Sequence, residues 1–176
     1  MVDYQPSDVI AMTEFPLAWR ITDDRWARLP ETVLARIKPL SLAKSQQVVE
    51  RSPFESFLTN QPDLEDFLVA REVSLEGDDP PGGGSIRRWF HGLPIDPSSE
   101  VYLCWSTLGG TTAVTDWGTF IEFWDDFWYP FDYLFLFDET HAWLVTLGVE
   151  ERAAFLQPRL SQSSPTRAVT PASVHR

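Results

Sequence analysis

The stretch Val101-Tyr102-Leu103-Cys104-Trp105-Ser106, followed by Gly109-Gly110 and then Thr111 to Thr115, decides how this chain folds. Its first five residues are rich in β-formers, the glycine pair tolerates the positive φ of a tight turn, and the run after it returns as a second strand. The spacing predicts a β-hairpin. Asp116 then stands where a helix N-cap is needed, and Trp117, Phe120, Ile121, Trp124, Phe127 and Trp128 recur at i, i+3, i+4, i+7, i+10 and i+11, one face of a single helix. Pro130 is expected to end that helix. Residues 133–137 read as a third strand, Asp138-Glu139-Thr140-His141 as a turn, 142–147 as a fourth strand closed by Gly148, and 149–156 as a last short helix.

Upstream of the hairpin the chain reads mostly helical. Pro30 and Glu31 suit the first turn of a helix reaching Ile37, Pro39 stops it, and Ser41 can cap another that runs to Glu50. Pro62 and Asp63 restart the pattern, with Leu64, Phe67 and Leu68 at helical spacing and Glu65, Asp66 and Arg71 on the solvated side. Residues 15–21 read as a short strand ending at Thr22-Asp23-Asp24. Between the two zones, residues 77–85 combine a Pro pair with three consecutive glycines and read as a flexible loop. With no Lys-Ser/Thr pair and no helix start expected after it, this is a linker rather than a phosphate loop. The expectation is an α+β fold: N-terminal helices, then a small antiparallel sheet with one aromatic amphipathic helix packed on it. Residues 1–156 form one domain and 157–176 a disordered basic tail.

Composition supports one ordinary core. The chain has 176 residues, 43% of them hydrophobic, with 8 Trp and 12 Phe, so no metal or disulfide is needed to hold it together. Cys104 is the single cysteine, read as a small buried hydrophobe; it excludes an intramolecular disulfide and a Cys-based zinc site, and fits a reducing compartment. No uninterrupted apolar run approaches a membrane span, and the acids Asp3, Asp8 and Glu14 near the start oppose a signal peptide, so the cytoplasm is the expected location.

Charge is unevenly placed. Residues 1–88 carry 15 acids and 10 bases, residues 89–151 carry 11 acids and no Lys or Arg, and residues 152–176 carry 4 Arg and no acids, giving −12 overall. The middle segment is expected to repel nucleic acid and anionic membrane and to attract a basic protein.

The candidate site lies on the polar side of the aromatic helix. Glu122, Asp125 and Asp126 fall at i, i+3 and i+4, and Asp132 follows just past the turn. Asp78 and Asp79 in the flexible loop are secondary candidates. Such a cluster is a plain solvated face, a hard-metal site, a general acid/base pair or an electrostatic surface for a basic partner. Among the functional uses the partner surface is favoured, because the segment lacks the Lys and Arg that accompany phosphoryl chemistry. Trp beside Asp and Glu also suggests sugar cleavage. Trp117, Trp124 and Trp128 share one helical stripe, however, where aromatics serve a core, while Trp89, Trp105 and Trp143 are left open. His91, His141 and His175 form no metal motif, and no Gly-x-Ser-x-Gly elbow is present. No catalytic residue, metal or cofactor is expected.

The runs Val101 to Ser106, Thr115-Asp116-Trp117-Gly118-Thr119-Phe120 and Trp124-Asp125-Asp126-Phe127-Trp128-Tyr129-Pro130 carry a resemblance. Over about residues 101–156, with a fainter echo at Ala35-Arg36-Ile37-Lys38-Pro39-Leu40, the chain resembles small Trp-rich acidic bacterial proteins related to immunity proteins of polymorphic toxin systems. The resemblance implies a non-enzymatic inhibitor that masks a toxin made by the same cell. Its residues are aromatic and structural, so it assigns no individual functional residue. The alternative from another class is a carboxylate-based hydrolase, glycosidase-like or metal-assisted, using the same acids. A third is an adaptor that uses the basic tail as an arm.

Overall fold

Strands β1 (Lys38–Pro39), β2 (Phe67–Ser74), β3 (Glu100–Trp105), β4 (Thr111–Asp116), β5 (Leu134–Phe137), β6 (Leu144–Val149) and β7 (Arg152–Pro158) pair in the order β1-β4-β3-β5-β6-β7-β2. The computed structural model describes residues 3–25, 28–52, 67–75, 84–106, 110–129, 132–149 and 152–158. Every pairing in the sheet is antiparallel. The helices are α1 (Ala18–Thr22), α2 (Glu31–Leu34), α3 (Leu42–Arg51), α4 (Gly84–His91), α5 (Trp117–Glu122) and α6 (Trp124–Phe127). Together they make the expected α+β fold.

Both faces of the sheet are covered, and that is why β3 and β5 read as unbroken apolar runs rather than as alternating ones. Val101, Leu103, Trp105, Leu134, Leu136, Val145, Leu147 and Phe155 point to one core, which α1, α4, α5 and α6 complete. Tyr102, Cys104, Val114, Phe135, Phe137, Leu144 and Leu156 point to the other, where Val48 and Val49 of α3 lie over them. The register keeps the faces consistent, with Leu103 opposite Leu136 and Tyr102 opposite Phe137. Because β4 and β5 both run antiparallel to β3, they are parallel to each other, and α5 and α6 are the crossover that joins them.

Local signals set several elements as expected. The β3–β4 hairpin pairs Val101 with Thr115 and Trp105 with Thr111. Ser41 Oγ accepts the Lys44 N–H at the start of α3, and Asp116 Oδ1 accepts the Thr119 N–H at 2.7 Å at the start of α5. Cys104 is fully buried beside Thr112 Oγ1 at 3.3 Å, and burial pushes its thiol up to about 12.

Other expectations are corrected. Residues 15–21 are not a strand: Leu17 and Ile21 are buried four apart, and α1 puts them on one face of a short helix. Phe67 and Leu68 belong to strand β2, not to a helix, because β7 supplies a partner along its whole length, from Phe67 opposite Pro158 to Ser74 opposite Arg152. That partner is itself a correction, since of the short helix expected over 149–156 Val149 ends β6 and residues 152–156 lie in β7, while 150 and 151 are outside the described residues. The aromatic helix is broken at Phe123, whose φ of −123° and ψ of 27° leave the helical region, so α5 and α6 are two short pieces. A helix does start after the glycines, at Gly84, while residues 77–83 and 159–176, with Asp78, Asp79 and the tail, lie outside the described residues.

Gly148 does not close β6 but sits inside it, at a register shift between Leu147 and Val149 with φ of 93°. A Cβ there would collide with the Asp132 carbonyl and stand 3.0 Å from Trp128 Nε1. Trp128 Nε1 donates to that same carbonyl at 3.0 Å. The bulge therefore lets Trp128 and the Asp132 carbonyl come close to the backbone at Gly148.

Candidate functional site

The aromatic stripe is core. Trp117, Phe120, Ile121, Trp124 and Phe127 are buried, and Trp128 is half-buried and stacked on Trp124 at 6.2 Å. Rings from other elements fit between them edge to face, as Phe90 of α4 does against Trp117 and Phe120. Of the tryptophans left open by sequence, Trp105 is buried and donates to the Phe127 carbonyl at 3.0 Å. Trp143 is buried and donates to Asp138 Oδ2, and Trp89 packs partly buried against the same core.

The acids leave this core at its rim. Glu122 and Asp125 are exposed, and Asp126 is half-buried. None of the three has a salt bridge among the described residues. Asp126 lines a narrow crevice with Phe15, Leu17, Ile37 and Trp105 whose volume, about 10 Å³, is roughly that of one water. Burial, with Asp125 as a like charge beside it, pushes the Asp126 carboxyl up to about 6, against the pull of Arg87. Arg87 also donates to the Glu122 carbonyl at 2.9 Å, closing the end of α5.

Asp132 is placed differently. Its Oδ2 lies 2.5 Å from Arg20 Nη2, and both side chains are nearly buried, at 13% and 9% exposure. The Arg20 guanidinium carbon sits 5.3 Å from the Trp19 ring and 4.9 Å from the Tyr129 ring, so the cation is held by two π-faces as well as by the carboxylate. The segment without cations in sequence is thus not without them in space. Arg20 and Lys38 from the first half of the chain pair with Asp132 and Glu100, and Arg87 donates to the Glu122 carbonyl. The negative field narrows to Glu122, Asp125 and Asp126, and Asp132 is a structural anchor rather than a free contact.

Sequence reasoning missed the aromatics of this corner. Trp19 is 40% exposed and Tyr133 is 43% exposed, unusual for rings of that size, and Trp19 meets Tyr129 edge-on at 5.9 Å. Helix α1 packs on α6, and Trp19 lies against the residues that follow α6. No local signal could have shown it, since the elements are joined only through tertiary contacts.

The turn after β5 is spent on its own structure. Asp138 Oδ1 accepts the Thr140 N–H at 2.9 Å, and its Oδ2 accepts Trp143 Nε1 at 3.1 Å. Among the described residues no three His, Cys, Asp or Glu side chains are grouped to hold a metal ion, and no helix is long and apolar enough to cross a membrane. No protein-family model, curated protein or solved structure matches this chain.

Proposed function

We propose that this chain is a non-enzymatic binding protein, a cytoplasmic immunity protein that inhibits a cognate bacterial toxin by docking a basic surface of it. The observation that carries the reading is that Glu122 and Asp125 are exposed and Asp126 half-buried on two consecutive short helices, with no salt bridge to any of the three among the described residues. Unbalanced carboxylates of one sign at the surface are what steers and seats a Lys- or Arg-rich partner. Asp126 adds a second support: it is kept half-buried against its preference for water, an arrangement that costs stability unless a partner's cation uses it. The resemblance over residues 101–156 points the same way.

A carboxylate hydrolase draws on Asp126 as an acid whose carboxyl burial pushes up to about 6 and on Asp132, paired with Arg20, as the second carboxylate. Against it stands the crevice at Asp126, about 10 Å³, where a glycosidase needs room for a sugar ring.

Co-expression with the toxin encoded by the neighbouring gene is the test. Rescue of growth and a complex on a sizing column are expected, whereas continued killing with no complex removes the proposal. In the complex, Asp125→Lys with Asp126→Lys lowers the association rate by roughly tenfold at low salt and changes dissociation much less.

A further inference from the structure

Residues 3–10 cross the edge of the sheet outside β1. Pro6 opens a single turn and Asp8 closes it, with Oδ2 accepting the Gln5 N–H at 2.8 Å, and the chain then runs alongside β1. There Val9 bridges Leu40, the Ile10 N–H donates to the Pro39 carbonyl at 3.0 Å, and the Ser41 N–H donates to the Asp8 carbonyl at 2.8 Å. The segment stands where one more strand would pair, and so covers the edge.

Its fastenings are mostly polar. Lys38 Nζ donates to the Tyr4 hydroxyl and, at 2.7 Å, to Glu100 Oε1. Asp3 Oδ2 lies 3.3 Å from Arg51 Nη1, and Asp8 Oδ2 lies 3.9 Å from Lys44 Nζ. None of residues 3–10 is buried; Tyr4, Val9 and Ile10 rest half-buried against the two cores as the apolar attachment. Strands β3 and β5 are held the other way, by side chains with no exposure such as Leu103 and Leu136.

Salt separates the two kinds of attachment. It shortens the reach of exposed charges from about 10 Å at 0.1 M to about 3 Å at 1 M and leaves apolar burial in place. A segment fastened by ion pairs therefore loosens under conditions that the sheet withstands.

We infer that residues 3–10 are a salt-released strap, which lifts from β1 and α3 as one unit while the sheet stays folded. Lifting bares the edge at residues 38–40 and removes Asp3 from the wall of the cavity of about 160 Å³ that lies between α3 and the turn after β5. The strap opens this side of the molecule and is independent of the toxin-binding proposal.

Native-state hydrogen exchange of the full-length chain, followed amide by amide, tests it. Two adjacent amides make the distinction, because Ser41 donates to the strap whereas Leu40 donates to the Thr112 carbonyl of β4 at 3.0 Å. Raising NaCl from ~0.05 M to ~1 M is expected to speed exchange at Ile10 and Ser41 by the same factor, roughly 10-fold, and to change Leu40 and Leu103 by less than ~2-fold. Tyr4→Phe keeps the ring on the core and removes the hydroxyl held by Lys38, and is expected to speed the same two amides roughly 10-fold at low salt. Exchange at Ile10 and Ser41 as slow as at Leu103 overturns the strap, because both would then open only with the whole sheet. Equal acceleration of Leu40 and Ser41 by salt, unequal factors at Ile10 and Ser41, or a Tyr4→Phe chain that exchanges like the wild type overturns it as well.

Discussion

Under α5 and α6 the sheet is covered by rings that lock edge to face and leave a crevice of about 10 Å³, whereas under α3 it is covered by valines and long cationic side chains that leave about 160 Å³. The difference follows from side-chain shape. Rigid aromatics fill a layer, and Trp105 and Trp128 anchor their indole N–H groups on backbone carbonyls. Lys44 and Arg51 have flexible stems and heads that seek solvent or a counter-charge, so they line space rather than fill it. A filled layer can present function only at its rim, where Glu122 and Asp125 stand exposed.

The sharpest test of this contrast is truncation on each side. Phe120→Ala, beneath the ring cluster, is expected to cost about 4 kcal/mol, because the neighbouring rings cannot collapse into the void. Val48→Ala, beside a space already open, is expected to cost about 1 kcal/mol. Urea denaturation of both variants measures it, and equal losses would break the comparison.

Gly148→Ala comes next. The positive φ and the collision with the Asp132 carbonyl are expected to cost about 2–3 kcal/mol. The near-ultraviolet signal of Trp128 should change with it, because the added Cβ stands 3.0 Å from Trp128 Nε1. A shifted midpoint with an unchanged denaturant slope would confirm that the native state alone is affected.

The smallest effect is at Asp126. Its folded-state carboxyl lies at about 6, above its ordinary 3.8, so between these values the folded chain binds more protons than the unfolded one. Stability therefore falls as pH rises from 4 to 6 on account of this group, and the loss is fully present at neutrality. Asp126→Asn is expected to stabilise the chain by about 1 kcal/mol at pH 7, a figure discounted for the group's half-exposure, and to change nothing near pH 4. Thermal melts at the two pH values check the sign. The same variant should bind a basic partner more weakly, which would tie the stability cost to function.

The acidic corner was only partly legible in sequence. Glu122, Asp125 and Asp126 were visible as a cluster because their spacing is local. That Asp132 is neutralised was not, because its partner Arg20 lies on α1. The cavity around Lys44 was invisible for the same reason: one wall is α3, another the start of the chain, and a third a turn nearly a hundred residues later. Strands β2 and β7 were misread because a run such as Arg152 to Leu156 has no strong preference of its own, and its hydrogen bonds go to partners on both sides in the sheet.

What the sequence determined by itself was whatever a few neighbouring residues decide: the β3–β4 hairpin, the caps at Ser41 and Asp116, and the burial of the aromatic stripe. Turn geometry, capping and hydrophobic period act over one or two turns of chain, so they can be read in order. Only the tertiary structure decided which segments became edge strands, which acids keep an unbalanced charge, and where space remains between layers. Those outcomes depend on partners supplied from distant parts of the chain, and hydrogen bonds, ion pairs and packing formed across such separations leave no mark on local residue order.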